Sequence, residues 1–189
     1  MPTTDKLPDN IVASIAGQVS AFLPTAGVSL ESTAVAFPQE VGESLAVCTV
    51  SLAQVKKPPA DLNMLAKPSG YWHHQLRTNG VATHTALSMK PGFGPIHEVE
   101  QVFATPLAGK IDAAIAWLDA NVAGRGTVRL FVAPAYLTHA LLLVRPDGPL
   151  EAVLADQPAQ YTKLQPETLY PLAEFLKLLA KEAPAESLG

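Results

Sequence analysis

The chain contains the sequence TVRLFVAPAYLTHALLLVRPDGPLEAVLAD at residues 127–156, and this stretch predicts the centre of a β-sheet. Apolar residues alternate from Val128 to Val132, which is typical of a strand with one buried face. Tyr136–Val144 is apolar at both parities, which indicates a strand covered on both faces. Arg145-Pro146-Asp147-Gly148 follows with residues that favour a turn. We therefore expect the chain to return through Leu150–Leu154 as an antiparallel hairpin.

The remaining sequence predicts helices and strands in an irregular order. Helical periodicity covers Ile11–Leu23, Thr105–Gly124 and Thr168–Glu182, and strand-like segments cover Ser29–Phe37, Ser44–Leu52, Tyr71–Met89 and His97–Phe103. Because strands and helices do not alternate regularly, the order favours an α+β fold over a doubly wound one. We predict one α+β domain over residues 1–189, with a mostly antiparallel sheet and about three helices packed on it. A linker-like loop is expected at 53–70 and a flap at 90–97.

Composition narrows the class of protein and of partner. The 189 residues are 48% hydrophobic and 16% charged, with a net charge of −4 and no long run of one sign. Nucleic-acid and anionic-membrane partners are therefore disfavoured, since both need clustered lysine and arginine. We predict neither a signal peptide nor a membrane span, because the apolar runs are short and interrupted. The single cysteine, Cys48, is expected to be a small buried hydrophobe, and a soluble cytoplasmic protein is expected.

The strongest hairpin signal is Asn79-Gly80, at the middle of YWHHQLRTNGVATHTALSM, residues 71–89. Asn-Gly favours a two-residue type I′ turn. Such a turn would pair Gln75 with His84 and place His73 and His84 on one face as diagonal neighbours. These three residues are therefore candidates for a binding site.

Two histidines on one sheet face suggest a metal site, although the same pattern fits polar residues on a solvated face. A zinc site would need a third ligand, for which His97, His139 or Glu98 is available. The candidate zinc ligands are His73, His84 and His97; otherwise no cofactor is expected. Trp117 is a further binding candidate, because it lies off the apolar stripe of its helix and could anchor a partner.

No recognisable catalytic motif is present: the sequence lacks HExxH, GxSxG and a GxGxxG that follows a strand. The leading hypothesis is a non-enzymatic binding or interaction module, with a homodimer formed through the wide apolar arc of Leu169–Leu179. The alternative is a small metal-dependent enzyme that uses the histidine face of the 71–89 hairpin. A third hypothesis is a small-molecule binder with its pocket beneath the flap. Whether the protein is an enzyme stays open.

Overall fold

The structure is a computed structural model that describes residues 2–4, 7–25, 40–89 and 97–184. Within these ranges, nine strands form a mixed, mostly antiparallel sheet with three substantial helices packed on it. The predicted α+β class is therefore confirmed.

The elements are numbered in chain order. The strands are β1 (Thr3–Thr4), β2 (Glu40–Thr49), β3 (Tyr71–Thr78), β4 (Val81–Met89), β5 (Glu98–Ala104), β6 (Thr127–Ala133), β7 (Thr138–Val144), β8 (Glu151–Asp156) and β9 (Leu169–Pro171). The helices are α1 (Asp9–Thr25), α2 (Leu52–Lys56), α3 (Pro106–Asn121) and α4 (Leu172–Leu179). Short 3-10 helices cover Leu62–Ala66 and Pro134–Tyr136.

The chain divides into two compact units, which are described separately below. Unit 1 draws on Met1–Asp5, Ala46–Ser69 and Lys110–Gly189, and unit 2 draws on Lys6–Leu45 and Gly70–Gly109. Strand β2 begins in unit 2 and ends in unit 1. The single-domain organisation stays a prediction.

Unit 1 contains the strands predicted at residues 127–156. Its strand order is β2-β6-β7-β8-β9, with β1 beside β6, and β6 pairs in parallel with β1 and β2 while the other pairs are antiparallel. Residues Ala140–Leu143 are all buried, as expected for a strand covered on both faces. Pro134 begins the 3-10 helix that separates β6 from β7, and Leu137 completes the bend with a φ of 48°. The predicted β7–β8 hairpin is confirmed.

Helix α4 differs from the sequence prediction at its start. Thr168 does not cap it, because Leu169–Pro171 pairs with β8 as strand β9 and the helix begins at Leu172. Its apolar residues Leu172, Phe175, Leu176 and Leu179 are buried in the core of unit 1, and Leu178 packs partly buried against that core. The wide apolar arc is thus covered by its own chain, which removes the original argument for a dimer through this helix. The homodimer stays a prediction.

Unit 2 has the strand order β5-β4-β3-β2, and α1 packs on one face of these strands. Ile15 and Val19 of α1 form a buried cluster with Leu76 and Ala86. Gln18 also binds the backbone beside edge strand β5: its Nε2 donates to His97 O at 2.8 Å and its Oε1 accepts from Val99 N at 2.9 Å. The amphipathic helix is confirmed, although it continues through Pro24 to Thr25 instead of stopping at Leu23-Pro24.

Several sequence predictions concern the segments that connect these elements. The strand predicted at Ser44–Leu52 is β2, but it ends at Thr49, because Ser51 and Gln54 form a capping box that starts α2. The linker-like loop at 53–70 therefore contains most of α2 and a 3-10 helix. The strand predicted at Ser29–Phe37 lies outside the described residues, as does the flap except for His97.

No helix in the described part of the chain is long and apolar enough to cross a membrane.

Candidate functional site

The hairpin of β3 and β4 has the predicted turn but a different register. Asn79 and Gly80 have φ values of 51° and 78°, as a type I′ turn requires. Gln75, however, pairs with Thr85 and not with His84, so the predicted register is wrong.

A β-bulge at Thr83 causes the shift. Arg77 pairs with Ala82 and Leu76 pairs with His84, which leaves Thr83 as the extra residue of β4. Its hydroxyl lies 3.0 Å from Thr78 Oγ1 and 2.9 Å from His84 Nδ1. These two side-chain contacts compensate for the ladder pairing that the bulge interrupts.

The bulge separates the two histidines of the proposed metal site. Paired residues share a face and successive residues alternate. His84 therefore lies on the face of Leu76 and His74, and His73 lies on the opposite face. Across the ranges that the structure describes, no three His, Cys, Asp or Glu side chains form a group that could hold a metal. His73 and His84 therefore do not form the predicted metal-binding pair on one face.

The bulged hairpin instead contributes to a buried hydrogen-bonded cluster. His74 Nδ1 lies 2.9 Å from Ser44 Oγ on β2, and His74 Nε2 lies 2.7 Å from Ser88 Oγ on β4. Burial, together with the nearby His97, lowers the pKa of His74 from 6.5 to about 4, so the imidazole is neutral at pH 7. Because all three side chains are buried and both ring nitrogens are hydrogen bonded, the cluster is closed to a substrate.

The other candidates on this hairpin are also buried. His73 and Gln75 are 4% and 0% exposed, and Gln75 Nε2 donates to Ala108 O at 3.2 Å. His84 is buried, which lowers its pKa. His97 lies edge-on to Trp72, with ring centroids 6.1 Å apart. The binding role of these side chains stays a prediction.

Trp117 is the one binding candidate of the sequence analysis that lies in unit 1. It is half-buried on α3, and its carbonyl accepts a hydrogen bond from Asn121 Nδ2 at 2.9 Å. Its role as a partner anchor stays a prediction.

Unit 1 has an accessible cleft of about 410 Å³. One wall is α3, the floor includes the end of β8, and the other wall is the loop over residues 157–167. Alanine, proline and leucine side chains make up the apolar lining, which includes Ala113, Leu154 and Pro158. The polar groups come from Lys110, Asp156, Gln157, Tyr161 and Glu167. We call this site the cleft.

Within the described part of the chain, the side-chain amide of Gln157 is hydrogen bonded through its NH₂ group but not through its oxygen. Its Nε2 donates to the carbonyls of Tyr161 and Leu164, both at 3.1 Å. Only the amide NH₂ can donate to two carbonyls, so the network itself decides which atom is oxygen. The remaining Oε1 is buried and accepts no hydrogen bond from the residues that the structure describes. A buried acceptor of this kind calls for a donor, which a ligand or a water can supply.

Hydrogen bonds hold the 157–167 wall in place. Glu182 Oε1 accepts from the backbone N–H groups of Thr162 and Lys163 at 2.8 and 2.7 Å, and the Tyr161 hydroxyl donates to Ala183 O. At the end of this wall Glu167 has a φ of 55°, a left-handed conformation that costs free energy for a non-glycine residue. These hydrogen bonds tie the wall to the residues that follow α4.

An ion pair and a histidine adjoin the floor of the cleft. Lys110 Nζ on α3 lies 2.5 Å from Asp156 Oδ1 at the end of β8. In the β7–β8 ladder, Asp156 is the backbone partner of His139. Burial lowers the pKa of His139, and the carboxylate of Asp156 opposes that shift by favouring the charged imidazolium.

Comparison with protein-family models, curated proteins and solved structures found no match to this chain.

The sequence contained a weak signal for the cleft. Residues Asp156–Leu164 are irregular and directly follow the most buried strands, where binding residues commonly lie on loops. The sequence could not show that Lys110, 46 positions away, forms an ion pair with Asp156.

Proposed function

We propose that the chain is a non-enzymatic binding module that holds a small molecule in the cleft of unit 1. The observation that carries this proposal is Gln157 Oε1, a buried acceptor without a partner among the described residues, at an accessible cleft. An unsatisfied buried carbonyl costs about 1–3 kcal/mol. A ligand that donates to it would recover that free energy on binding.

The size and lining of the cleft support a small ligand. Its volume of about 410 Å³ lies in the range of ligand pockets, and its lining combines apolar side chains with few polar groups. The hydrogen-bonded wall lowers the entropic cost of binding, because few groups need to be ordered.

The other hypotheses have less support. For the metal-dependent enzyme, the bulge at Thr83 places His73 and His84 on opposite faces of the sheet. For the dimer, the apolar face of α4 is covered by its own chain. The third hypothesis, a pocket beneath the flap, concerns residues 90–96, which lie outside the described residues. Self-association and a cytoplasmic location stay predictions.

A fragment screen by ligand-observed NMR tests the proposal, with two tryptophan variants of α3 as a matched pair. Ala113 and Ala116 are both exposed, but only Ala113 lines the cleft. We expect Ala113→Trp to weaken binding of every hit by more than about tenfold, because the indole would occupy the ligand's space. A tenfold loss of affinity equals about 1.4 kcal/mol. We expect Ala116→Trp to bind like the wild type.

Two results would contradict the proposal. One is a screen without hits at millimolar fragment concentration. The other is a set of hits that Ala113→Trp and Ala116→Trp bind equally well, which would place them elsewhere on the protein. Circular dichroism of both variants checks that each is folded.

A further inference from the structure

We infer that the ligand of the cleft carries a protonated amine on a small apolar body. This inference rests on the proposed function and goes beyond it by naming the chemical class of the ligand. It follows from which polar groups of the cleft already have partners.

Most side-chain donors of the cleft already have partners within the protein, although Lys110 keeps further N–H groups on Nζ. Both N–H groups of Gln157 point to backbone carbonyls, the Tyr161 hydroxyl donates to Ala183 O, and Lys110 Nζ lies against Asp156 at 2.5 Å. The acceptors are in excess, because Gln157 Oε1 is unused by the described residues, and each carboxylate has about four lone-pair sites. Because acceptors outnumber spare donors, the cleft favours a ligand that brings donors.

The charges of the cleft favour a cationic donor over a neutral one. Asp156 and Glu167 contribute two negative charges and Lys110 contributes one positive charge, so the lining is acidic by one unit. Hydrogen bonds between an ammonium group and a carboxylate are shorter and roughly twice as strong as neutral ones. An anionic ligand would instead meet two carboxylates, against one lysine whose charge Asp156 already balances.

An organic cation fits the cleft better than a metal ion. No group of three His, Cys, Asp or Glu able to hold a metal occurs among the described residues. The alanine, proline and leucine side chains of the lining would remain uncovered by an ion, whereas an apolar body would bury them. One ammonium nitrogen carries three N–H donors, which suits a lining with more acceptors than donors.

Three probes of matched shape test the class of ligand: 2-phenylethylamine, 2-phenylethanol and 3-phenylpropionate. Isothermal titration at low salt and neutral pH gives the affinity of each for the full chain. We expect the amine to bind about tenfold tighter than the acid, with the alcohol between them, since favourable and unfavourable charge contacts differ by at least this much. We also expect added salt to weaken the amine more than the alcohol.

A pair of charge-neutralising variants sharpens the test. Glu167→Gln keeps the shape of the side chain, and Glu174→Gln removes another exposed carboxylate, which lies on α4 and does not line the cleft. We expect Glu167→Gln to weaken the amine by about threefold, as for a partly solvated charge pair, and to leave the alcohol unchanged. Glu174→Gln should leave all three affinities unchanged.

The outcomes separate this inference from the proposed function. If the acid or the alcohol binds tightest and Ala113→Trp abolishes that binding, the amine is wrong while the small-molecule site stands. If no probe binds although other fragments do, the amine is again wrong. If neither probes nor fragments bind, both the inference and the proposed function are overturned.

Discussion

The polar cluster of unit 2 and the cleft of unit 1 differ in whether their polar side chains have all their hydrogen-bond partners within the protein. In unit 2, Ser44 is hydrogen bonded to Nδ1 of His74 and Ser88 to its Nε2, and all three side chains are buried. In unit 1, the NH₂ of Gln157 is fully used but its Oε1 is not, and the side chain borders an open cleft. A satisfied, closed cluster stabilises and orients strands. Leftover hydrogen-bonding capacity beside an open cleft is what a ligand can use.

The two regions also differ in what stabilises them. The core of unit 1 is a large apolar cluster of side chains, with aromatic contacts at its centre, and the cleft lies at its margin. Unit 2 has a smaller apolar cluster beside its buried histidines. Substitutions should therefore cost the most in the core of unit 1, pH should act chiefly through unit 2, and changes at the cleft should have the smallest effect on stability.

The largest effect is expected for Phe175→Ala. This ring is fully buried and lies edge-on to Phe131, with centroids 6.0 Å apart, and near Tyr170 at 6.2 Å. Its removal leaves a cavity, and we expect the free energy of unfolding to fall by about 3–5 kcal/mol in urea denaturation. The control Lys177→Ala, exposed on the same helix, should change it by less than about 0.5 kcal/mol. A loss below about 1 kcal/mol for Phe175→Ala would contradict the assignment of the core.

A comparable effect is expected from pH through His74. Its pKa is about 4 in the folded protein and 6.5 ordinarily, so the unfolded chain takes up the proton first as pH falls. This contribution to stability is complete above about pH 6.5 and is lost as pH falls toward 4, by about 3 kcal/mol. Urea denaturation across this range measures the loss.

Imidazole C–H signals followed by NMR assign the effect to the residue. His74 should stay neutral until close to pH 4 while the protein remains folded. A midpoint above pH 6 for His74 would show that the Ser44–His74–Ser88 cluster is open to water, and the contrast between the two regions would fail.

The smallest effect is expected at the cleft, for Asp156→Asn. The carboxylate of Asp156 raises the pKa of His139 against the lowering by burial, so its removal should lower the pKa of His139 further. The same NMR titration measures this shift, and His74 in unit 2 serves as the internal control that should not move. An unchanged or raised pKa of His139 would contradict the charge interaction between His139 and Asp156.

Local patterns in the sequence determined the elements. The strands of residues 127–156, the type I′ turn at Asn79-Gly80 and the amphipathic helix α1 follow from apolar periodicity and from backbone preferences that act within a few residues. These preferences predict the type of an element well. They predict its ends less well, as the extension of α1 through Pro24 and the late start of α4 at Leu172 show.

Only the tertiary structure decided the register of the hairpin and the identity of the site. The bulge at Thr83 depends on whether its hydroxyl gains more from Thr78 and His84 than the ladder loses, a balance that no apolar pattern records. The apolar arc of α4 was equally compatible with a partner and with its own core. The cleft needs Lys110 beside Asp156 and the NH₂ of Gln157 committed to two carbonyls. Such contacts join residues that are distant in sequence, so they are set by packing and not by local preference.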